Sequence, residues 1–313
     1  MPEAAAPHPT IRDAGERPLV LHSRVLGPLA DTGFLARALV LAELAMLAYN
    51  DLDEASRGAT AIGFEQVELI DRHGAQAMLF RNTWDVVVAC RGTEPDQWND
   101  LHADANALLA AVGTLGRVHS GFNREVNDIW PDLKTALRAL HLPVWISGHS
   151  LGGAMATICA YRCRTSSLAL HPRELHTFGS PRVGCARYSR LAGVTHFRWV
   201  HNNDIVTRLP PPWLGYRHGG HEVYLDHAGQ LCKLSPRQRK RDRRRGLFQA
   251  LASGRIDWLA DHGVHQYIAH IAAAVARERE AQVRGLASPG LDDWVSWAVD
   301  DPSAAAAGQP LTS

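Results

Sequence analysis

The residues of this chain most able to do chemistry are Gly148-His149-Ser150-Leu151-Gly152-Gly153-Ala154. A G-x-S-x-G run lets a serine sit on a sharp strand-to-helix turn with its oxygen exposed, and the small flanking residues permit the close packing that such a turn requires. The pattern by itself says little, because composition alone would produce it in roughly one in ten chains of this length. Its setting says more: the apolar Val144-Trp145-Ile146 precedes it and the small-residue run Ala154-Met155-Ala156-Thr157 follows it. The plainer reading is a glycine-rich turn with Ser150 as a helix cap.

A serine hydroxyl is a poor nucleophile until a neighbouring base takes its proton, and the base needs an acid to hold its tautomer. With the chain order serine, acid, histidine, the acid candidate is Asp204 in HNNDIVTRLP, just after the apolar Phe197 to Val200. Asp226 is the reserve, and a turn or cap aspartate is the plainer reading of either. For the base, the last third of the chain offers His218, His221, His227, His262, His265 and His270. His262, in Leu259-Ala260-Asp261-His262-Gly263, sits at a helix-to-helix break, and His265 lies about one turn later as its rival. The developing oxyanion needs N–H donors. Leu151, directly after the serine, supplies the first; Thr93, in the Arg91-Gly92-Thr93 that follows DVVVAC, supplies the second with its N–H and hydroxyl.

Elements must position these groups. Phe34 to Tyr49 carries apolar residues at helical spacing; Phe64 to Ile70 and Ala77 to Phe80 read as strands around a His73-Gly74 turn; and Asp85 to Cys90 reads as a buried strand. Phe122 to Leu140 predicts an amphipathic helix in which Pro131 forces a kink or a later start. Strands at 143–147, 174–178 and 195–201 alternate with a helix at 154–162, which argues for an α/β fold with a mostly parallel central sheet flanked by helices. No repeat or composition break divides the middle of the chain. One domain over 31–300 is expected, between flexible tails at 1–30 and 301–313.

Lys plus Arg total 33 against 32 for Asp plus Glu, so no global field attracts nucleic acid, and none is expected as a partner. The five cysteines are scattered without a C-x-x-C pair, which excludes a disulfide-stapled or zinc-ribbon architecture. His218-x-x-His221 and His262-x-x-His265 are not H-E-x-x-H, and neither a metal nor a cofactor is expected. The first twenty residues hold four prolines and no apolar leader core, so cytoplasmic residence is expected, with signal-independent export left open. Ala139 to Tyr161 lacks Asp, Glu, Lys and Arg over a span long enough for a membrane helix, but Pro143, Gly148, Gly152, Gly153 and two histidines argue against one.

Taken together, DVVVACRGTEPDQWND (85–100), VHSGFNREV (118–126), PVWISGHSLGGAMA (143–156), TFGSPRVG (177–184), HNNDIVTRLPPP (201–212) and DHGVHQY (261–267) resemble, in order, the class 3 lipases, the Rhizomucor-type family of the α/β-hydrolase superfamily. The resemblance spans roughly residues 40–275. It implies Ser150 as nucleophile, Asp204 as acid, His262 as base from a D-H-x-x-x-x-Y motif completed by Tyr267, and Thr93 and Leu151 as oxyanion donors. It also implies a lid over Glu94 to Arg117, whose Asn106 to Gly116 portion is uncharged and holds Leu108, Leu109 and Val112. Gly263 and His265 depart from the histidine motif.

The implied activity is hydrolysis of carboxylic esters of lipids, as a triacylglycerol or acylglycerol lipase working through an acyl-enzyme. The alternatives are a phospholipase A1 or soluble-ester carboxylesterase and, from another class, a catalytically silent lipase-like interaction module. A second departure is Lys233 to Arg245, KLSPRQRKRDRRR, with eight basic residues in thirteen positions. It reads either as a peripheral contact for an anionic membrane surface or as a solvated insertion loop.

Overall fold

DVVVAC becomes a strand that neighbours cover on both faces, and the rest of the molecule is arranged around it. The computed structural model of this protein describes residues 11–12, 18–92, 109–168, 170–190, 193–252 and 260–285. Eight strands form the main sheet: β1 (Gln66–Arg72), β2 (Ala75–Arg81), β3 (Val86–Cys90), β4 (Val144–His149), β5 (Leu175–Phe178), β6 (His196–His201), β7 (His221–Leu225) and β8 (Leu231–Cys232). They lie side by side in chain order. β3 to β7 pair in parallel, while β1–β2, β2–β3 and β7–β8 pair antiparallel.

The helices are α1 (Phe34–Leu47), α2 (Leu52–Ile62), α3 (Ser120–Arg138), α4 (Leu151–Thr165), α5 (Pro236–Ala252) and α6 (Val264–Val283). Successive strand residues point to opposite faces, so Val87, Ala89, Trp145 and Trp199 join α1 and α6 in one core, while Val86, Val88, Cys90 and Ile146 join α3 and α4 in the other. That two-sided burial explains why β3 reads as an unbroken apolar run. The register sets Cys90 opposite Gly148, His149 opposite Phe178 and Phe178 opposite Trp199, which gathers the carboxyl ends of β3 to β6 along one edge. Ligand sites of open parallel sheets form at such an edge.

Several elements differ from the sequence reading. Residues 20–30, expected in a flexible tail, are pinned to the body: Leu21, Val25 and Leu29 are buried, Val25 N–H donates to Ile62 C=O, and Leu29 N–H donates to Asp85. Three anchors four residues apart between prolines give too short a pattern to read. Positions 1–10 and 301–313 lie outside the described residues. α3 begins at Ser120 with Pro131 inside it, so the later start does not occur; burial of Phe122, Val126, Ile129, Leu133 and Leu137 offsets the lost backbone bond. The basic run 233–245 is not a solvated loop, because most of it lies in α5. Of the candidate lid, only 109–117 is described, and Leu109–Ala111 there pairs with Arg117–His119 in a small four-stranded sheet completed by Gly184–Cys185 and Tyr216–Arg217.

Candidate active site

Ser150 stands between β4 and α4 with φ 60° and ψ −129°, a conformation that L-residues adopt only when the surroundings impose it. The surroundings are the glycines of the motif. A Cβ on Gly148 would overlap the Gly152 carbonyl, and one on Gly152 would overlap the Cys90 carbonyl at the end of β3. The turn therefore exists because two backbones approach closer than any side chain permits.

From that elbow the Ser150 Oγ lies 2.8 Å from Nε2 of His262. Nδ1 of His262 is 3.0 Å from each oxygen of Asp204. The carboxylate demands an N–H at Nδ1, which leaves Nε2 as the bare acceptor for the serine hydroxyl. Asp204 is fully buried and is satisfied on the side away from the imidazole: Val206 N–H donates to Oδ1 at 2.9 Å and the Tyr267 hydroxyl to Oδ2 at 2.6 Å. Burial, and then the charge of Asp204, push the Tyr267 hydroxyl well above its ordinary range, so it stays a donor. The tyrosine hydroxyl also accepts from His201 N–H at 3.1 Å, tying α6 to the end of β6.

Ser150, Asp204 and His262 are thus brought together. His265 is exposed on the first turn of α6, and Asp226 caps the β7–β8 turn by accepting from the N–H groups of Ala228 and Gln230. His218 donates from Nε2 to Thr207 C=O, and His227 pairs with Asp242. Leu151 is the first residue of α4, where helix N–H groups lack intrahelical partners. Thr93 lies outside the described residues; the preceding Gly92 is packed so tightly that a Cβ there would stand 2.9 Å from the His149 carbonyl oxygen.

Three positioning residues escaped the sequence reading. His149, fully buried, has its pKa pushed well below the ordinary value by burial and then by the neighbouring His262, so it is neutral. Its Nε2 donates to the His262 carbonyl at 2.6 Å, and its Nδ1 accepts from the Tyr49 hydroxyl at 3.0 Å. Gly179, with φ 62°, lies where a Cβ would come within 2.7 Å of Asp204 Oδ2 and 3.0 Å of His262 Cε1. The only signal for these was adjacency: His149 is the variable position before the serine, and Gly179 directly follows β5. For metal binding, one group among the described residues has suitable spacing, Asp226, His227 and Asp242, with ligand atoms within 4.8 Å of one another. Asp242 there already accepts from the Tyr224 hydroxyl and from His227.

Residues 87–213 match the family described as Lipase (class 3). A secreted mono- and diacylglycerol lipase of Fusarium solani is 38% identical over 134 residues, which is 40% of this chain and 38% of that protein. The chain therefore aligns with well under half of that relative's length. Among solved structures, a deletion mutant of the Rhizomucor miehei lipase–propeptide complex superimposes with a TM-score of 0.54 at 21% identity, covering 73% of this chain and 80% of that one. A triacylglycerol lipase whose catalytic centre is a serine protease triad superimposes with a TM-score of 0.53 at 21% identity, covering 74% and 91%. The fold is that of the α/β-hydrolases. The expectation of cytoplasmic residence does not stand: the Fusarium solani relative is a secreted enzyme, so the lack of an apolar leader core in the first twenty residues assigns no compartment. No described helix is long and apolar enough to cross a membrane.

Proposed function

From the match of residues 87–213 to the family described as Lipase (class 3), we propose that this chain is a member of that family and hydrolyses carboxylic esters of lipids, with acylglycerols as the substrate class. The observation that carries the reading is the continuous relay of 2.8 Å from Ser150 Oγ to His262 and 3.0 Å from His262 to Asp204, on a strained elbow at the carboxyl edge of the sheet. Ser150 Oγ attacks the ester carbonyl carbon while its proton passes to His262 Nε2, and Asp204 stabilises the imidazolium that forms. The oxyanion takes the N–H groups of Leu151 and Thr93. Collapse of the tetrahedral adduct expels the alcohol, which leaves with the proton from His262. Water, deprotonated by the same imidazole, then attacks the acyl-enzyme and releases the fatty acid and the serine. No cofactor enters any step.

One domain over 31–300 is the organisation this reading implies, supported by a single sheet that runs without interruption from β1 to β8. The partner beyond substrate is an anionic membrane surface, supported by α5. Arg237, Lys240, Arg241, Arg244 and Arg245 recur at helical spacing on its exposed face, whereas Arg239, Asp242 and Arg243 turn inward. The decisive experiment is acid release from emulsified triacylglycerol, diacylglycerol, phospholipid vesicles and a short soluble ester, with wild type and Ser150→Ala. Turnover highest on an acylglycerol emulsion and abolished in the variant supports the reading; turnover that survives Ser150→Ala removes it.

A further inference from the structure

Next to the Asp204 loop lies a second concave site that Ser150 does not line. A cavity of about 470 Å³ opens between β6, β7, α5 and the loop that follows Asp204. Its wall carries five guanidiniums, Arg182, Arg198, Arg208, Arg239 and Arg243, against one carboxylate, Glu222. Arginine does not give up its charge in proteins, so the wall holds four positive charges in excess.

The one acid is already shared. Arg198 Nη2 donates to Glu222 Oε2 at 3.0 Å, and Arg239 Nη1 lies 2.5 Å from Oε1. Arg182 donates to the carbonyls of Arg208 and Pro210, and Arg243 to that of Asn202. What remains is unsatisfied. Arg198 is 6% exposed, and its Nε and that of Arg239 are buried without a hydrogen-bond partner among the described residues; Glu222 Oε1, within ion-pair distance of Arg239, accepts no hydrogen bond either, so one carboxylate oxygen stands beside two orphaned cationic donors. Leaving a buried cationic donor without an acceptor is costly. The crowding also registers on Arg182, pushed down to about 10 by burial and then by Arg198, Arg217, Arg208 and Arg243.

These facts share one remedy, an anion with several acceptor oxygens that planar guanidinium forks can grip pairwise, and phosphate is that anion. We propose that this cavity is a binding site for a phosphomonoester dianion, presented either by a lipid headgroup or by a soluble phosphate. Trp213, 83% exposed on the rim, gives the mouth an apolar anchor of the kind that sits at a lipid–water boundary. None of the arginines belongs to the Ser150 relay, so the site does not depend on the hydrolase reading.

The test uses the full chain carrying Ser150→Ala, so that no lipid is consumed and binding is read apart from hydrolysis. Calorimetric titration with inorganic phosphate and with glycerol 3-phosphate measures the soluble source. Flotation with phosphatidylcholine vesicles holding either phosphatidic acid or, at matched surface charge, the carboxylate lipid cholesteryl hemisuccinate measures the headgroup source. Because Arg198 and Arg239 also hold Glu222, the cavity is probed with Arg182→Gln plus Arg208→Gln, and with Arg208→Gln alone should the pair unfold. Saturable binding of the soluble phosphates, weakened roughly tenfold or more by the substitutions, supports the proposal and names the soluble source. Preference for phosphatidic acid over the carboxylate lipid, lost in the variants, supports it and names the headgroup. Absence of both, or binding that the substitutions leave unchanged, overturns it, as does vesicle binding that responds only to Arg241→Gln and Arg245→Gln on the outer face of α5.

Discussion

His149 Nε2 lies 2.6 Å from the main-chain carbonyl oxygen of His262, so the residue before Ser150 grips the backbone of the residue whose imidazole faces the Ser150 hydroxyl. Two relays therefore converge on His262. Its side chain runs to Asp204, and its main chain runs through His149 to the Tyr49 hydroxyl. The second relay fixes where the imidazole starts; the first fixes how it turns.

Removing the second relay should loosen that starting point. His149→Phe keeps much of the ring volume but leaves the His262 carbonyl without its donor, a loss of about 1–3 kcal/mol at a buried site. If that loss falls on the transition state, kcat on a soluble ester drops roughly ten- to hundredfold with KM little changed. His149→Gln, which restores an N–H donor, should recover part of the rate, and Tyr49→Phe should cost less than His149→Phe. Equal kcat for wild type and His149→Phe would show that the contact is structural packing alone.

Gly179→Ala offers a sharper cut at the same centre. At φ 62° the position disfavours any side chain, and the added Cβ would sit 2.7 Å from Asp204 Oδ2, where neither the carboxylate nor the imidazole can move without breaking the other's bond. The expected outcome is a fall in kcat of about a hundredfold or more, with the protein still folded by far-UV circular dichroism. Retention of more than a tenth of wild-type turnover would mean that the triad tolerates displacement at this wall.

Much of this site was legible because its parts follow one another along the chain. Serine, acid and histidine come in order, and each sits beside an apolar run that reads as a strand or helix. The choice between His262 and His265 was also latent in the sequence. Val264, Tyr267, Ile268 and Ile271 mark the buried stripe of α6, and that phase leaves His265 outside. The Tyr49–His149 contact was not legible, since it joins residues a hundred positions apart. α5 hid for another reason. Its inward residues, Arg239, Asp242 and Arg243, are as charged as its outward ones, so no apolar period marks a helix. The arginine cavity draws on β6, two loops and α5, and only the fold brings those together.

The outward face of α5 leads to a prediction about membranes. Replacing Arg237, Lys240, Arg241, Arg244 and Arg245 with Gln removes charges from exposed side chains, so thermal unfolding should shift little. Co-sedimentation with anionic vesicles at low salt should weaken by roughly fivefold per charge removed, and the difference from wild type should shrink as salt is added. Arg243 is left in place because its Nε donates to the Asn202 carbonyl, two residues before Asp204. Unchanged co-sedimentation in the quintuple variant would remove the outward face of the helix from any membrane role.

Glu43 makes stability depend on pH in a direction opposite to that of most carboxylates. It is fully buried in α1, accepting from the N–H groups of His22 at 2.6 Å and Ser23 at 3.2 Å. Burial nevertheless outweighs those bonds and pushes its pKa up from 4.5 to about 7. A folded pKa above the unfolded one means that its contribution to stability is complete below pH 4.5 and is lost as pH rises through about 7. Two and a half pKa units at about 1.4 kcal/mol each make the full loss about 3–4 kcal/mol. The buried histidines His149, His176, His196 and His218 have lowered pKa values and act the other way, costing stability as pH falls below 6.5. Their effect is common to wild type and Glu43→Gln, and it cancels in the difference between them. Urea unfolding at pH 5, 6, 7 and 8 should therefore show the Gln variant gaining on wild type by about 1.4 kcal/mol per pH unit up to pH 7 and no further. A difference that stays constant from pH 5 to 8 would mean that Glu43 is ionised in the folded protein throughout, with the two backbone donors winning over burial.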